Sequence, residues 1–203
     1  FLAGAGFSKW ACDLPLVSGL FDFRVHAGTA LEQRRLARLR RMYSQWRLDH
    51  PYENNESFVA SAQTEGDKFN LVNWYVTRRL TEPFVINGGR RYTWYINSYH
   101  ATSHPGITRA RSILKALQRV GTLSILTTNY DMVMEYALGT RGFNYGRRGE
   151  NIGWSPYPYP QPVHLLGSVP IAKLHGSLSW SADDKRPDLR YGLNGKCLIV
   201  PPA

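Results

Sequence analysis

Cysteine is nearly absent from this chain: its 203 residues include two, Cys12 and Cys197. Two thiols cannot build a four-cysteine zinc site, and no Cys-x-x-Cys occurs, so no metal is expected. A disulfide between them stays open, but two free thiols in a reducing cytosol is the simpler reading and implies a cytoplasmic protein. Long hydrophobic runs are missing too. No stretch approaches the ~20 apolar residues of a membrane span, so no membrane partner is expected. No secretory leader is legible. The apolar start Phe1-Leu2-Ala3 is too short for one and reads as a strand cut by a fragment boundary. Acid is scarce as well: 15 Asp and Glu against 25 Lys and Arg leave a net charge of +10. That excess suits nucleic acid, an acidic partner or a phosphate-bearing ligand, without choosing among them.

What is present is ordinary for a soluble globular protein, with 43% hydrophobic and 20% charged residues. The length suits one large domain, or a core with a small insertion. We read residues 1–203 as a single domain truncated at both ends. Residues 31–106 are read as a mainly helical, aromatic-rich insertion or lid.

Residues 1–6 read as a strand running into a turn, with a helix expected from about Ser8 and broken near Asp13-Leu14-Pro15. Leu31 to His50 carries six arginines, while Leu36, Leu39, Tyr43 and Trp46 recur at helical spacing. This is an amphipathic helix whose basic face is either solvated or a docking face for nucleic acid or another domain. Phe69 to Leu80 is helix-compatible, and Asn87-Gly88-Gly89 signals a turn. Trp74, Tyr75, Tyr92, Trp94, Tyr95 and Tyr99 read as core or lid packing, with base stacking as the other reading.

The pattern then sharpens. His104-Pro105-Gly106 breaks the chain, and Thr108 is the expected N-cap. Ala110, Ile113, Leu114 and Leu117 predict one buried helix face, and Gly121 ends it. Leu123 to Thr127 reads as a strand and Asp131 to Leu138 as a helix. Residues 141–162, rich in Gly and Pro, read as an extended connector. Ile171 to Leu174 and Cys197 to Val200 read as further strands. Alternating helices and apolar strands predict an α/β fold with a Rossmann-like, doubly wound parallel sheet.

Three places carry chemistry. Gly4-Ala5-Gly6-Phe7-Ser8 follows the first strand, where glycines let backbone N–H groups and a helix N-terminus approach a pyrophosphate. Ser8 can donate to the ligand or cap the helix. Leu126-Thr127-Thr128-Asn129-Tyr130-Asp131 lies at the end of a second strand, in the zone where α/β sheets bind ligands. There Asn129 and Asp131 contact a ligand or cap the next helix. Lys173-Leu174-His175-Gly176-Ser177 ends a third strand and places a histidine suited to general base work.

In this order and on these elements, the three motifs resemble the sirtuin-like (SIR2-like) family. The resemblance spans nearly the whole chain. Asp13-Leu14-Pro15 is similar to the family's Gly-Leu/Ile-Pro, with Asp13 in place of the glycine. Asp22-Phe23-Arg24 matches a family string but falls too late, and is set aside as accidental.

The resemblance implies a sirtuin-type NAD-binding fold, with NAD as the substrate. It implies that Gly4, Ala5, Gly6, Phe7 and Ser8 hold the pyrophosphate. Asn129 orients the nicotinamide ribose and a water, with Thr128 beside it. Asp131 holds the carboxamide. His175 is the base acting on the ribose hydroxyls, with Gly176 and Ser177 lining the site. The zinc module of the deacylating members is missing, and Thr128 and Tyr130 replace the family's usual neighbours of that asparagine. This version resembles the zinc-less prokaryotic NAD hydrolases of antiviral defence proteins. The implied reaction is hydrolysis of the nicotinamide–ribose bond to nicotinamide and ADP-ribose. NAD-dependent protein deacylation and non-catalytic NAD or ADP-ribose binding are the alternatives. A homo-oligomer, or a regulatory or sensor domain or subunit outside the fragment, is the expected partner.

Overall fold

The computed structural model describes residues 1–62, 65–84, 101, 103–139, 142–144, 168–181 and 197–199. They form an α/β fold around a parallel sheet of four strands. These are β1 (Leu2–Ala3), β2 (Ile125–Thr127), β3 (Phe143–Asn144) and β4 (Val169–Lys173). Across the sheet they run β1-β2-β4-β3. The register pairs Ala3 with Thr127 and Thr127 with Lys173, so three neighbouring strands end in one row.

Parallel neighbours need long crossovers. Between β1 and β2 lie α1 (Ala5–Cys12), α2 (Ala30–Asp49), α3 (Asn55–Ala62), α4 (Gly66–Thr81) and α5 (Pro105–Val120). The short helix α6 (Val133–Leu138) follows β2. No helix among the described residues is long and apolar enough to cross a membrane.

Burial alternates along the strands with the period of two that the pleat dictates. Ala3, Ile125, Thr127, Val169, Ile171 and Lys173 are buried, whereas Leu2, Leu126 and Pro170 are exposed. The last predicted strand is Cys197–Ile199, and it lies outside the parallel sheet. It is β6 of an antiparallel ribbon with β5 (Gly176–Ser181), in which Gly176 faces Ile199.

Helix α1 starts at Ala5, three residues before the predicted Ser8, because Gly4 takes the extended N-cap conformation. It stops where predicted. Asp13 turns left-handed at φ 57°, its N–H bonds to the Lys9 carbonyl at 2.9 Å, and Leu14-Pro15 leads away. That backbone region favours glycine, the residue Asp13 replaces in the resemblance above. Helix α5 clamps α1 from the side. A Cβ on Gly106 would lie 2.1 Å from the Ala11 carbonyl oxygen, so only glycine permits this approach. Arg109 Nη2 donates to the same oxygen at 2.7 Å.

The predicted cap of α5 is corrected. His104, not Thr108, is the N-cap: its Nδ1 accepts from Gly106 N at 3.1 Å, and Pro105 fills the first helical position. The buried face turns accordingly to Gly106, Ile107, Ala110 and Leu114, and Ile113 is left exposed.

The basic segment forms α2 behind a capping box, with Glu32 N donating to Thr29 Oγ1 and Thr29 N donating to Glu32 Oε2, each at 3.2 Å. Its Leu36, Leu39 and Trp46 are buried, and Tyr43 stacks on Phe21 with ring centroids 5.0 Å apart. Glu32 also pairs with buried Arg78 of α4. Trp74 and Tyr75 are core residues, and Tyr75 Oη donates to the Leu20 carbonyl at 2.9 Å. With both rings enclosed, the base-stacking alternative fails for these two. Tyr92, Trp94, Tyr95, Tyr99, the Asn87 turn, Val200 and all of 141–162 except 142–144 lie outside the described residues.

Candidate active site

The row of strand ends collects all three sequence motifs. At the first, the N-terminal turn of α1 faces outward with Gly4 as its cap. The first N–H groups of a helix have no acceptor within it and carry the positive end of its dipole. That of Phe7 turns back to the Gly4 carbonyl at 2.9 Å, while those of Ala5 and Gly6 meet no described acceptor. Gly4 and Gly6 have no positive φ, and a Cβ on either would meet nothing within 4 Å. The chain therefore does not itself require glycine at either position. Both glycines leave open space at the N-terminus of α1.

Ser8 neither caps α1 nor faces outward; it is 2% exposed. It is held by Asn129, at the end of β2. Asn129 Nδ2 donates to Ser8 Oγ at 2.9 Å and to the Gly4 carbonyl at 3.1 Å, and Asn129 N donates to Thr127 Oγ1 at 3.1 Å. A backbone carbonyl only accepts, so the amide nitrogen must point to Gly4 and the orientation is fixed. Asn129 Oδ1 is then left buried with no hydrogen-bond partner among the described residues. An unpaired buried acceptor costs about 1–3 kcal/mol, which a ligand donor would recover.

Asp131 follows two residues on. Val133 N donates to its Oδ1 at 3.0 Å, and the Ser8 hydroxyl also favours the charged form of the carboxyl. Burial pushes this carboxyl above the ordinary carboxylate range, against the opposing pull of Lys173 and those two donors. The folded chain thus holds the Asp131 proton more tightly than the unfolded one. Its contribution to stability is greatest below the ordinary carboxylate range and is lost as pH rises through the raised value. Asp131→Asn removes that dependence. The melting temperature of the variant minus that of the parent is expected to grow as pH rises through this window. A difference that shrinks with rising pH contradicts the assignment.

Beneath the row lies a buried ion pair that the motifs did not flag. Lys173 Nζ, at the end of β4, donates to Glu135 Oε1 at 2.9 Å and to Ser177 Oγ at 3.0 Å. It also donates to the Asp131 carbonyl oxygen. Both charged side chains are almost fully buried. One lysine therefore ties the third motif to the second, and Asn129 ties the second to the first. The signal was present in the sequence: Lys173 shares the parity of buried Val169 and Ile171, and a lysine at a core position demands a partner.

His175 sits in the tight turn between β4 and β5, half-buried, and its ring makes no hydrogen bond to a described residue. Its centroid lies 6.4 Å from that of Tyr130. The backbone fixes this turn beside β2, since Leu174 N donates to the Thr127 carbonyl at 2.9 Å and Leu178 N to that of Tyr130 at 3.0 Å. Thr128 is exposed beside Asn129. Phe7 is half-buried between Phe1 and Trp10, with both centroid separations 5.7 Å. Gly176 opens β5, and Ser177 is fully buried, its Oγ accepting from Lys173 Nζ. Cys12 lies near this cluster, but burial, with Asp131 adding to it, pushes its thiol up to about 12. It is a thiol at neutral pH and no nucleophile.

No family model matches the chain, and no curated protein matches it.

Proposed function

We propose that the chain is a sirtuin-like NAD hydrolase on a Rossmann-like sheet, releasing nicotinamide and ADP-ribose. We extend this to the antiviral, NAD-depleting role implied by the resemblance. The observation that carries the reading is the buried Asn129 Oδ1, which has no partner among the described residues, set beside the N-terminus of α1 at the level of three strand ends. A diphosphate matches the N–H groups of Ala5 and Gly6 and the helix dipole. Asn129 Oδ1 accepts from a hydroxyl, of the ribose or of water, and brings no charge that would compete with the cationic substrate. NAD supplies a leaving group that departs neutral with its bonding pair, so no strong nucleophile is needed. His175 contributes the imidazole, a side chain suited to general base work on the ribose hydroxyls. The buried Asp131–Lys173–Glu135 layer holds these loops at fixed spacing, which is where a positioning contribution to rate originates.

Incubation of the protein with NAD alone tests this. Nicotinamide and ADP-ribose are expected in equal amounts without any acyl peptide. His175→Ala is expected to lower the rate by roughly 10²–10⁴-fold. Turnover that needs an acetylated peptide supports deacylation instead. Tight NAD binding without turnover supports a binding module.

A further inference from the structure

The outer side of α2 carries charge that the fold does not use. Arg35 lies over the Trp74 ring, Arg40 bonds to the Phe23 carbonyl, and Arg47 bonds to the carbonyls of Pro51 and Glu53. Arg34, Arg38 and Arg41 differ. They are exposed and have no hydrogen bond, ion pair or ring contact to a described residue. Spaced at i, i+4 and i+7, they share one face, and the helical rise sets them about 6 and 4.5 Å apart along the axis. No carboxylate among the described residues pairs with them. Of the α2 carboxylates, Glu32 is buried against Arg78, and Asp49 lies in the last turn, bonded to Gln45.

We propose that this stripe docks on the sugar-phosphate backbone of a nucleic-acid duplex. The three arginines span about 10 Å of helix axis, which matches about three phosphates of one strand at roughly 3.4 Å each. The chain's net charge of +10 favours a polyanion. A second copy of the chain packed on the same face would set arginines against arginines, which is repulsive. A lipid surface needs a broad apolar face, and the apolar side of α2 is already in the core. The exposed side offers only Leu31 and Leu48 near its two ends. The contact is to phosphates, so it is independent of base sequence.

The test measures binding of a duplex DNA of about two turns across a salt series. Three proteins are compared: the parent chain, the stripe variant Arg34→Gln/Arg38→Gln/Arg41→Gln, and a control with equal charge loss elsewhere, Arg24→Gln/Lys115→Gln/Arg119→Gln. The stripe variant is expected to flatten the log–log salt slope by about 2–3, roughly 0.9 for each phosphate no longer neutralised. The control is expected to keep the parent slope. Ala37→Glu, on the exposed side of α2, adds repulsion while leaving the core intact and should also weaken binding. Equal weakening in stripe and control variants would show charge alone at work and overturn the proposal. So would the absence of parent binding at about 0.15 M salt, or an Ala37→Glu variant that binds as the parent does.

Discussion

Asn129→Ala is expected to slow nicotinamide release by about a hundredfold or more, since misplaced groups cost that much at a reacting centre. The effect has two parts. The substitution removes the buried Oδ1, which has no hydrogen-bond partner among the described residues. It also removes the donor that holds the Gly4 carbonyl and Ser8 Oγ. Because the helix N–H groups that suit a diphosphate remain, the loss should fall on kcat, with KM for NAD changing only a few-fold. Steady-state kinetics separate the two. A variant that loses affinity and keeps its turnover number would show that Asn129 binds but does not position. Circular dichroism of the variant should match the parent, because the side chain bridges loops and not the hydrophobic core.

Lys173→Met is expected to give the largest loss of stability. It strips buried Glu135 of its cation and takes a donor from Ser177 and from the Asp131 carbonyl. Breaking such a pair from one side costs about 3–5 kcal/mol. For a chain of this size that corresponds to a melting temperature lowered by roughly 10 °C. The double variant Lys173→Met/Glu135→Leu should recover most of the loss, because an apolar pair of similar volume is close to neutral in such places. Chemical denaturation of the three proteins checks both statements. A single variant within about 1 kcal/mol of the parent would mean the pair is not buried as described.

The parts of this arrangement that local chemistry dictates were legible in the sequence. The strands read over residues 1–6, Leu123–Thr127 and Ile171–Leu174 contain the observed ones, which end at Ala3, Thr127 and Lys173, and the spacing of Leu36, Leu39 and Trp46 marked the inner face of α2. What pairing decides was not legible. Nothing local sets Ala3, Thr127 and Lys173 level; that follows from the register, a tertiary property. For the same reason β5 was missed. Gly176-Ser177 reads as loop, and its strand exists through pairing with Cys197–Ile199. The start of α1 was placed late because glycine is a poor helix former, yet Gly4 caps the helix and Gly6 lies within it. His104 was overlooked as a cap because hydroxyl and carboxamide residues usually fill that role. Lys173 and Glu135 were overlooked for another reason. Burial, and no motif, sets their role, and the clue was a charge inside an apolar run.

The two glycines of the first motif offer the most direct test of the NAD assignment. Alanine at position 6 suits the helix better than glycine and meets no atom of the chain within 4 Å. Gly6→Ala should therefore fold at least as well as the parent, gaining about 0.5 kcal/mol. The same methyl would stand in front of the N–H groups assigned to the diphosphate. Calorimetric titration with NAD, alongside thermal unfolding, reads both effects. An equal or higher melting temperature is expected, with NAD affinity weakened at least about tenfold, the equivalent of 1.4 kcal/mol. Unchanged NAD affinity in a well-folded Gly6→Ala variant would contradict the assignment.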